Sequence, residues 1–257
     1  DNIFHIANSE ENISKTIDVT VIESTGVNFN ASGSIYSLPS NTLYTSSVYD
    51  KKVLLAGSNY GNTNQKGGFL EIDFSGEPVK RIIEVTNPII DTNVNSSAWG
   101  ILNVDHNNGR LILAQDDYTN IYVTFFEYNS GTGDWDEKDS FKFSNVQYGG
   151  GPYRDYISIQ GDRAALLMYS NSRIYTFKYD SVSDTWSQDG IIDKPSTTPS
   201  SIFYSGLEVQ GDKIFVGYNG QGSGYFDVFQ RGTSSWSHIQ HVNDGGTFYS
   251  SAIRSNS

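Results

Sequence analysis

Three carboxylates in predicted inner strands are the first candidates for chemistry. Asp105, Asp155 and Glu208 belong to different copies of a repeating pattern, and converging carboxylates can hydrolyse glycosidic bonds. With strict alternation, the Asp155 side chain shares a face with its apolar neighbours, whereas the Glu208 side chain faces away from its apolar neighbours. Asp105 falls in a predicted turn. Because these positions are not equivalent, we expect no catalytic set. A glycan-cleaving enzyme that uses Asp155, Glu208 and Asp105 is the alternative.

Histidine is the other residue type that could transfer a proton or bind a metal. The chain has four, which are scattered: His5, His106, His238 and His241. His238 and His241 are three residues apart on a predicted strand, where alternation would turn them to opposite faces. There is no cysteine to supply a thiolate ligand. We therefore expect no metal site and no cofactor.

Aromatic and amide side chains recur in the predicted loops between the second and third strands of the repeats. An exposed tyrosine stacks on the apolar face of a sugar, and a neighbouring amide or carboxylate binds its hydroxyl groups. Such loops also suit binding to a protein. Ordinary loop composition in a chain rich in Tyr and Asn is the alternative. The candidate ligand-binding residues are Asn59, Tyr60, Asp116, Tyr118, Tyr169, Asn171, Tyr218 and Asn219.

The composition excludes several classes of protein. Among 257 residues, 17 are basic and 29 acidic, which gives a net charge of −12. Nucleic acids and anionic membranes are polyanions, so we expect neither as a partner and no insertion into a membrane. The absence of cysteine excludes disulfides. Three Asn-x-Ser/Thr triplets, at Asn12, Asn30 and Asn95, are candidate glycosylation sites and favour an extracellular or cell-surface location.

The elements that must position these residues are short strands in an internal repeat. Trp135, Trp186 and Trp236 are 51 and 50 residues apart. Each follows an apolar strand and a polar turn, which predicts a hairpin. A tryptophan at one repeated position is expected to fill the gap between neighbouring sheets. Upstream, Gly161-Asp162 and Gly211-Asp212 are predicted tight turns between two strands.

Four antiparallel strands recurring about every 50 residues predict a single all-β domain, a five-bladed β-propeller over residues 1–257. Residues 245–257 resemble a first strand without a partner, and the chain begins with a second strand. We therefore expect both termini to share one blade and close the ring, with residues 16–23 and 27–38 as its third and fourth strands. The expected blades are residues 245–257 with 1–38, 40–90, 96–145, 150–193 and 199–243.

Three phrases carry a resemblance to known repeats. Gly-Asp-Lys/Arg before an apolar strand, and Phe177-Lys-Tyr-Asp-Ser-Val-Ser-Asp-Thr-Trp186, resemble the FG-GAP repeats of integrin α chains and the kelch repeats. Gly245-Gly-Thr-Phe-Tyr-Ser-Ser-Ala-Ile253 is similar to the first strand of the FG-GAP unit. The resemblance implies a β-propeller. The calcium loop of the integrin-type repeats is absent, so the resemblance implies no calcium site here.

Without a coherent catalytic set, the expected function is non-catalytic recognition. We expect a secreted or surface-displayed module, not an enzyme, that binds a protein or glycan through loops held by a rigid ring. Its setting would be adhesion or a fibrous assembly. A structural subunit that assembles with itself is a further alternative.

Overall fold

A computed structural model describes residues 2–7, 14–22, 26–31, 34–37, 43–49, 51–57, 68–73, 79–84, 100–116, 120–144, 156–168, 171–196, 203–220 and 223–243. Every regular element in these ranges is a β-strand, which confirms the predicted all-β class. The chain divides into two compact units, Asp1–Leu43 and Tyr44–Ser257.

The first unit contains one four-stranded antiparallel sheet in the order β1-β2-β3-β4. Its strands are β1 (Asn2–Ala7), β2 (Ser14–Ile22), β3 (Gly26–Ala31) and β4 (Ser34–Ser37). The fourth strand predicted over residues 27–38 is wrong, because these residues form the β3–β4 hairpin, with Phe29 opposite Tyr36. All four strands therefore come from the N-terminal segment. The strand predicted at residues 245–257 lies outside the described residues.

The second unit contains four further sheets, each built from four consecutive antiparallel strands. The second sheet comprises β5 (Leu43–Tyr49), β6 (Lys52–Gly57), β7 (Gly68–Asp73) and β8 (Val79–Glu84). The third comprises β9 (Gly100–Asn107), β10 (Arg110–Asp116), β11 (Asn120–Asn129) and β12 (Asp134–Ser144). The fourth comprises β13 (Tyr156–Gln160), β14 (Arg163–Met168), β15 (Arg173–Asp180) and β16 (Thr185–Asp193). The fifth comprises β17 (Phe203–Gln210), β18 (Lys213–Gly220), β19 (Ser223–Arg231) and β20 (Trp236–Asn243).

The predicted tight turns are confirmed. Gly161 and Gly211 have φ angles of 61° and 56°, which glycine adopts without the steric cost of a Cβ atom. The β9–β10 turn is made by Asn108 and Gly109, both at positive φ. Strand β9 therefore runs through Asp105, and the prediction that Asp105 lies in a turn is wrong.

The repeated tryptophans fill the space between sheets, as predicted. The ring of Trp186 stacks on Phe125 of the third sheet, with centroids 4.2 Å apart and an interplanar angle of 10°. Trp236 Nε1 donates a hydrogen bond to Thr176 Oγ1 of the fourth sheet (3.1 Å). Trp135 Nε1 donates to Glu71 of the second sheet (2.6 Å). Each tryptophan therefore binds the preceding sheet.

A second repeated contact joins the first strands of successive sheets. In each case a polar side chain accepts a hydrogen bond from a backbone N–H of the next first strand. The pairs are Ser47 Oγ with His106 N (3.2 Å), Asp105 Oδ2 with Ile159 N (2.9 Å), and Ser158 Oγ with Val209 N (3.0 Å). The donors directly follow Asp105, Ser158 and Glu208 in sequence. Asp105, Ser158 and Glu208 therefore occupy equivalent positions. The prediction that the positions of Asp105 and Glu208 are not equivalent is wrong.

Replacing Ser158 with Ala tests this contact. The substitution leaves the buried Val209 N–H without its acceptor, so we expect the free energy of unfolding to fall by about 1–3 kcal/mol. The measurement is equilibrium unfolding in urea. The matched control is Ser187→Ala at an exposed position of β16, which should change stability by less than about 0.5 kcal/mol. Equal effects of the two substitutions would contradict a stabilising role for the Ser158 hydroxyl.

Candidate functional site

A carboxylate and two imidazoles meet on the fifth sheet. Asp227 Oδ1 lies 2.8 Å from His238 Nε2 and 2.7 Å from His241 Nδ1. The Asp227 side chain is fully buried, whereas 29% of the His238 side chain and 25% of the His241 side chain are exposed. Because an ionised carboxylate only accepts hydrogen bonds, each ring carries its proton on the nitrogen that faces Asp227. We call these three residues the Asp–His–His cluster.

A β-bulge brings the two histidines to the same face. Asp227 is opposite His241 and Phe229 is opposite His238, but Val228 is opposite Gln240, so Ile239 is an extra residue on β20. One extra residue reverses the alternation of side chains beyond it. The prediction that His238 and His241 face opposite sides is therefore wrong, and the argument against a metal site that rested on it no longer holds.

Aromatic rings flank the cluster on both sides. The His241 ring stacks on Tyr225, with centroids 5.7 Å apart, and the His238 ring packs on Phe229 at 5.2 Å. Tyr225, Asp227 and Phe229 alternate along β19 and so share a face. Phe229 belongs to the apolar core between the fourth and fifth sheets. The cluster thus lies on the face of the fifth sheet that packs towards the fourth, with the imidazoles at its solvent-exposed margin.

The fourth sheet shows that the fold does not require this cluster. It has the same irregularity, because Thr176 is opposite Gly190 and Phe177 is opposite Gln188. Aligning the two bulges matches Tyr175, Gln188 and Ile191 to Asp227, His238 and His241 respectively. None of the matching residues is a carboxylate or an imidazole. The two sheets share the bulge, and of these two only the fifth carries the cluster.

The cluster offers two kinds of chemistry. In a neutral imidazole, the nitrogen without a proton accepts one, so His238 Nδ1 and His241 Nε2 are candidate proton acceptors held in place by Asp227. The three atoms that face one another could instead bind a cation, because imidazole nitrogen and carboxylate oxygen are ligands for transition metals.

Of the predicted catalytic carboxylates, Asp105 is a structural residue. Its buried carboxyl group also accepts hydrogen bonds from Ser47 Oγ (2.8 Å) and the N–H of His106 (2.9 Å). Burial raises the pKa of Asp105 above its usual value, and the hydrogen bonds from Ile159, Ser47 and His106 oppose that shift. Glu208 lies at the equivalent position of β17, half-buried, and Asp155 lies outside the described residues.

The predicted ligand-binding residues do not form one site in the described part of the chain. Tyr218 is 1% exposed and lies in the core between the fourth and fifth sheets, so it is not an exposed loop residue. Asn171 donates a hydrogen bond to Tyr175 (2.9 Å) and accepts one from the N–H of Arg173 (3.1 Å), which orders the β14–β15 turn. Asp116 and Asn219 are strand residues. Outside the described residues lie Asn59, Tyr60, Tyr118, Tyr169, Asn12 and Asn95.

Comparison with known proteins finds structures of similar fold but no matching family. No family model and no curated protein matches the sequence. Three solved structures of β-propeller proteins match at TM-scores of 0.50–0.51 and 11–12% identity, covering 88–91% of this chain. At this identity the likeness concerns the fold alone. Within the described residues, no helix could span a membrane.

The three structures differ in what their names say. A functionally unknown protein from Desulfotomaculum acetoxidans has a TM-score of 0.51 and 12% identity, with 89% of this chain and 70% of that chain covered. A 6-phosphogluconolactonase candidate from Bacteroides fragilis has a TM-score of 0.50 and 11% identity, with 88% of this chain and 67% of that chain covered. A periplasmic gluconolactonase from Pseudomonas aeruginosa has a TM-score of 0.50 and 11% identity, with 91% of this chain and 65% of that chain covered.

These names contradict two expectations from the sequence. We expected a non-catalytic recognition or adhesion module and a protein that is not an enzyme. Two proteins of similar fold are instead named as lactonases, and this finding overturns both expectations. The all-β sheets are consistent with the propeller that the resemblance to FG-GAP and kelch repeats implies, and the repeat family itself stays a prediction.

The raised pKa of Asp105 predicts how its replacement changes the pH dependence of stability. The folded protein holds the Asp105 proton more tightly than the unfolded chain, so stability is lost as pH rises from about 3.9 through the raised pKa. We expect wild type to lose stability relative to Asp105→Asn over that interval. The measurement is urea unfolding of both proteins from about pH 2.5 to pH 7.

Asp180 supplies a control of opposite sign. The hydrogen bond from the N–H of Val182 holds the pKa of Asp180 below its usual value. Wild type should therefore gain stability relative to Asp180→Asn as pH rises through that lowered pKa up to about 3.9. A difference between wild type and Asp105→Asn that stays constant or grows with pH would contradict the effect of burial on Asp105.

Proposed function

We propose that the protein is a hydrolase that opens the ring of a lactone, and that the Asp–His–His cluster activates the attacking water. The observation that carries this proposal is a fully buried carboxylate bound to two partly exposed imidazoles. Such a carboxylate orients an imidazole and stabilises the positive charge that the ring acquires when it takes a proton. The names of proteins with the same fold support lactones as the substrate class, by analogy.

The chemistry needs only groups that the cluster supplies. His241 Nε2 or His238 Nδ1 takes a proton from water as the water oxygen attacks the lactone carbonyl carbon. The carbonyl oxygen becomes an anion, then the ring C–O bond breaks and the same imidazole returns the proton to the leaving oxygen. The products balance as one hydroxy acid from one lactone and one water. The partly buried ring of Tyr225, which stacks on His241, offers an apolar surface for the substrate ring.

The charge of the chain favours a neutral lactone over a phosphorylated one. A net charge of −12 repels an anionic substrate over distances of about a Debye length. A neutral sugar lactone such as gluconolactone carries no such penalty. Its hydroxyl groups would still find polar partners at the exposed margin of the sheet.

The finer architecture is also a proposal. Closure of the ring by residues 245–257 with the N-terminal strands stays a prediction from the sequence, whereas the five four-stranded sheets are the five blades of the proposed propeller. The five-fold repeat of four strands supports this, and a closed ring has no exposed edge strand. Relationship to FG-GAP or kelch repeats, a protein or glycan partner, an extracellular location and glycosylation at Asn12, Asn30 and Asn95 stay predictions from the sequence.

Removing both imidazoles tests the proposed function. His238→Gln combined with His241→Gln keeps side chains of similar size but removes the proton acceptors. We expect kcat/KM for gluconolactone to fall about 10²- to 10⁴-fold, the usual contribution of general acid–base catalysis. The measurement is proton release at constant pH, corrected for spontaneous hydrolysis of the lactone.

Gln240→Ala is the matched control, because Gln240 lies between the two histidines on β20 and is exposed. It should hydrolyse gluconolactone at the wild-type rate. The proposal fails if wild type does not exceed the spontaneous rate, or if the double variant is as active as wild type.

A further inference from the structure

The geometry of the cluster points to a cation-binding site, and we infer that Asp227, His238 and His241 together bind one Zn²⁺ ion. His238 Nε2, His241 Nδ1 and a carboxylate oxygen of Asp227 all lie within 4.8 Å of one another. Two imidazoles and a carboxylate form a ligand set found in catalytic zinc sites, where a water molecule occupies the fourth position.

The spacing of the ligand atoms fits a tetrahedral ion after a small adjustment. Metal–ligand bonds of about 2.0–2.2 Å place tetrahedral ligands about 3.3 Å apart. The two N–O separations here are 2.8 and 2.7 Å, so each must widen by roughly half an ångström. Rotation of the two imidazoles about their side-chain bonds provides this, because both rings are partly exposed. Each ring would release the proton that it now donates to Asp227.

Burial of Asp227 provides an electrostatic reason for a cation. A fully buried carboxylate needs partners that compensate for its lost hydration. Two imidazole N–H groups converge on the same oxygen, Oδ1, where a divalent ion would concentrate more positive charge. In the fourth sheet the matching residues, Tyr175, Gln188 and Ile191, include no such ligand pair. Of these two described sheets, only the fifth therefore has the ligands at the bulge.

The surroundings leave one side of the ion open. Tyr225 and Phe229 cover the imidazoles from two directions, which limits the approach of solvent along the sheet. About a quarter of each imidazole side chain is exposed, so a water can reach the ion as its fourth ligand. A water there would be acidified by the ion. This role of the ion rests on the proposed function, whereas binding of the ion can be measured alone.

Calorimetric titration of the full chain with ZnCl₂, after removal of metal with a chelator, tests the inference. We expect one ion per chain, and at least a 100-fold weaker affinity in His241→Gln, since loss of a partner behind a ligand alone costs 10- to 100-fold. Substitution with Co²⁺ should give visible absorption bands in wild type and lose them in His241→Gln. His241 is partly exposed, so this variant is expected to fold, and thermal unfolding without metal checks that it does. Gln240→Ala should bind like wild type.

The outcomes separate the site from the reaction. The inference is overturned if wild type binds no Zn²⁺, or if His241→Gln binds it with unchanged affinity and stoichiometry. Gluconolactone hydrolysis is measured on the same metal-free and zinc-loaded samples. Binding without hydrolysis supports the zinc site and rejects the proposed function. Hydrolysis by metal-free protein that binds no Zn²⁺ rejects the zinc site and retains the imidazole as the base.

Discussion

Hydrogen bonds from one first strand to the next fix how successive sheets of the second unit pack. A side chain on one strand accepts the backbone N–H of the next, as Ser158 does from Val209. A backbone donor cannot change rotamer, so each bond sets the register of two sheets. The tryptophans fix the outer strands in the same way, as the stacking of Trp186 on Phe125 illustrates. Side chains on such rigid elements can be positioned for chemistry with little motion.

The candidate site depends on a local departure from this regularity. The extra residue Ile239 turns His238 and His241 to the same side as Asp227. The fourth sheet has a similar bulge, but Gln188 and Ile191 occupy the corresponding positions. The bulged backbone therefore lets residues three apart share a face, and the fifth sheet has an acid–base cluster at positions where the fourth has Tyr175, Gln188 and Ile191. This separates the residues that hold the fold from those that could carry function.

Features set by local chemistry could be predicted from the sequence. Apolar alternation indicated the strands, and spacing indicated the role of Trp186. Glycine indicated turns such as that at Gly211, which has a positive φ in the structure. The site could not be found, because period-two alternation gives the wrong face for every residue beyond a bulge. Tyr218 was assigned to a loop, but β18 continues to Gly220 and buries its ring. The apolar pattern of β9 ends three residues before the strand does. The sequence therefore predicted a turn at Asp105, where the strand in fact continues.

A crystal structure of the zinc-loaded protein, with anomalous scattering measured at the zinc absorption edge, tests the central claim most directly. We predict one anomalous peak about 2.0–2.2 Å from Asp227 Oδ1, His238 Nε2 and His241 Nδ1. Side chains of His238 and His241 on opposite faces of β20, or a peak away from these three residues, would contradict the claim that the bulge builds a functional site.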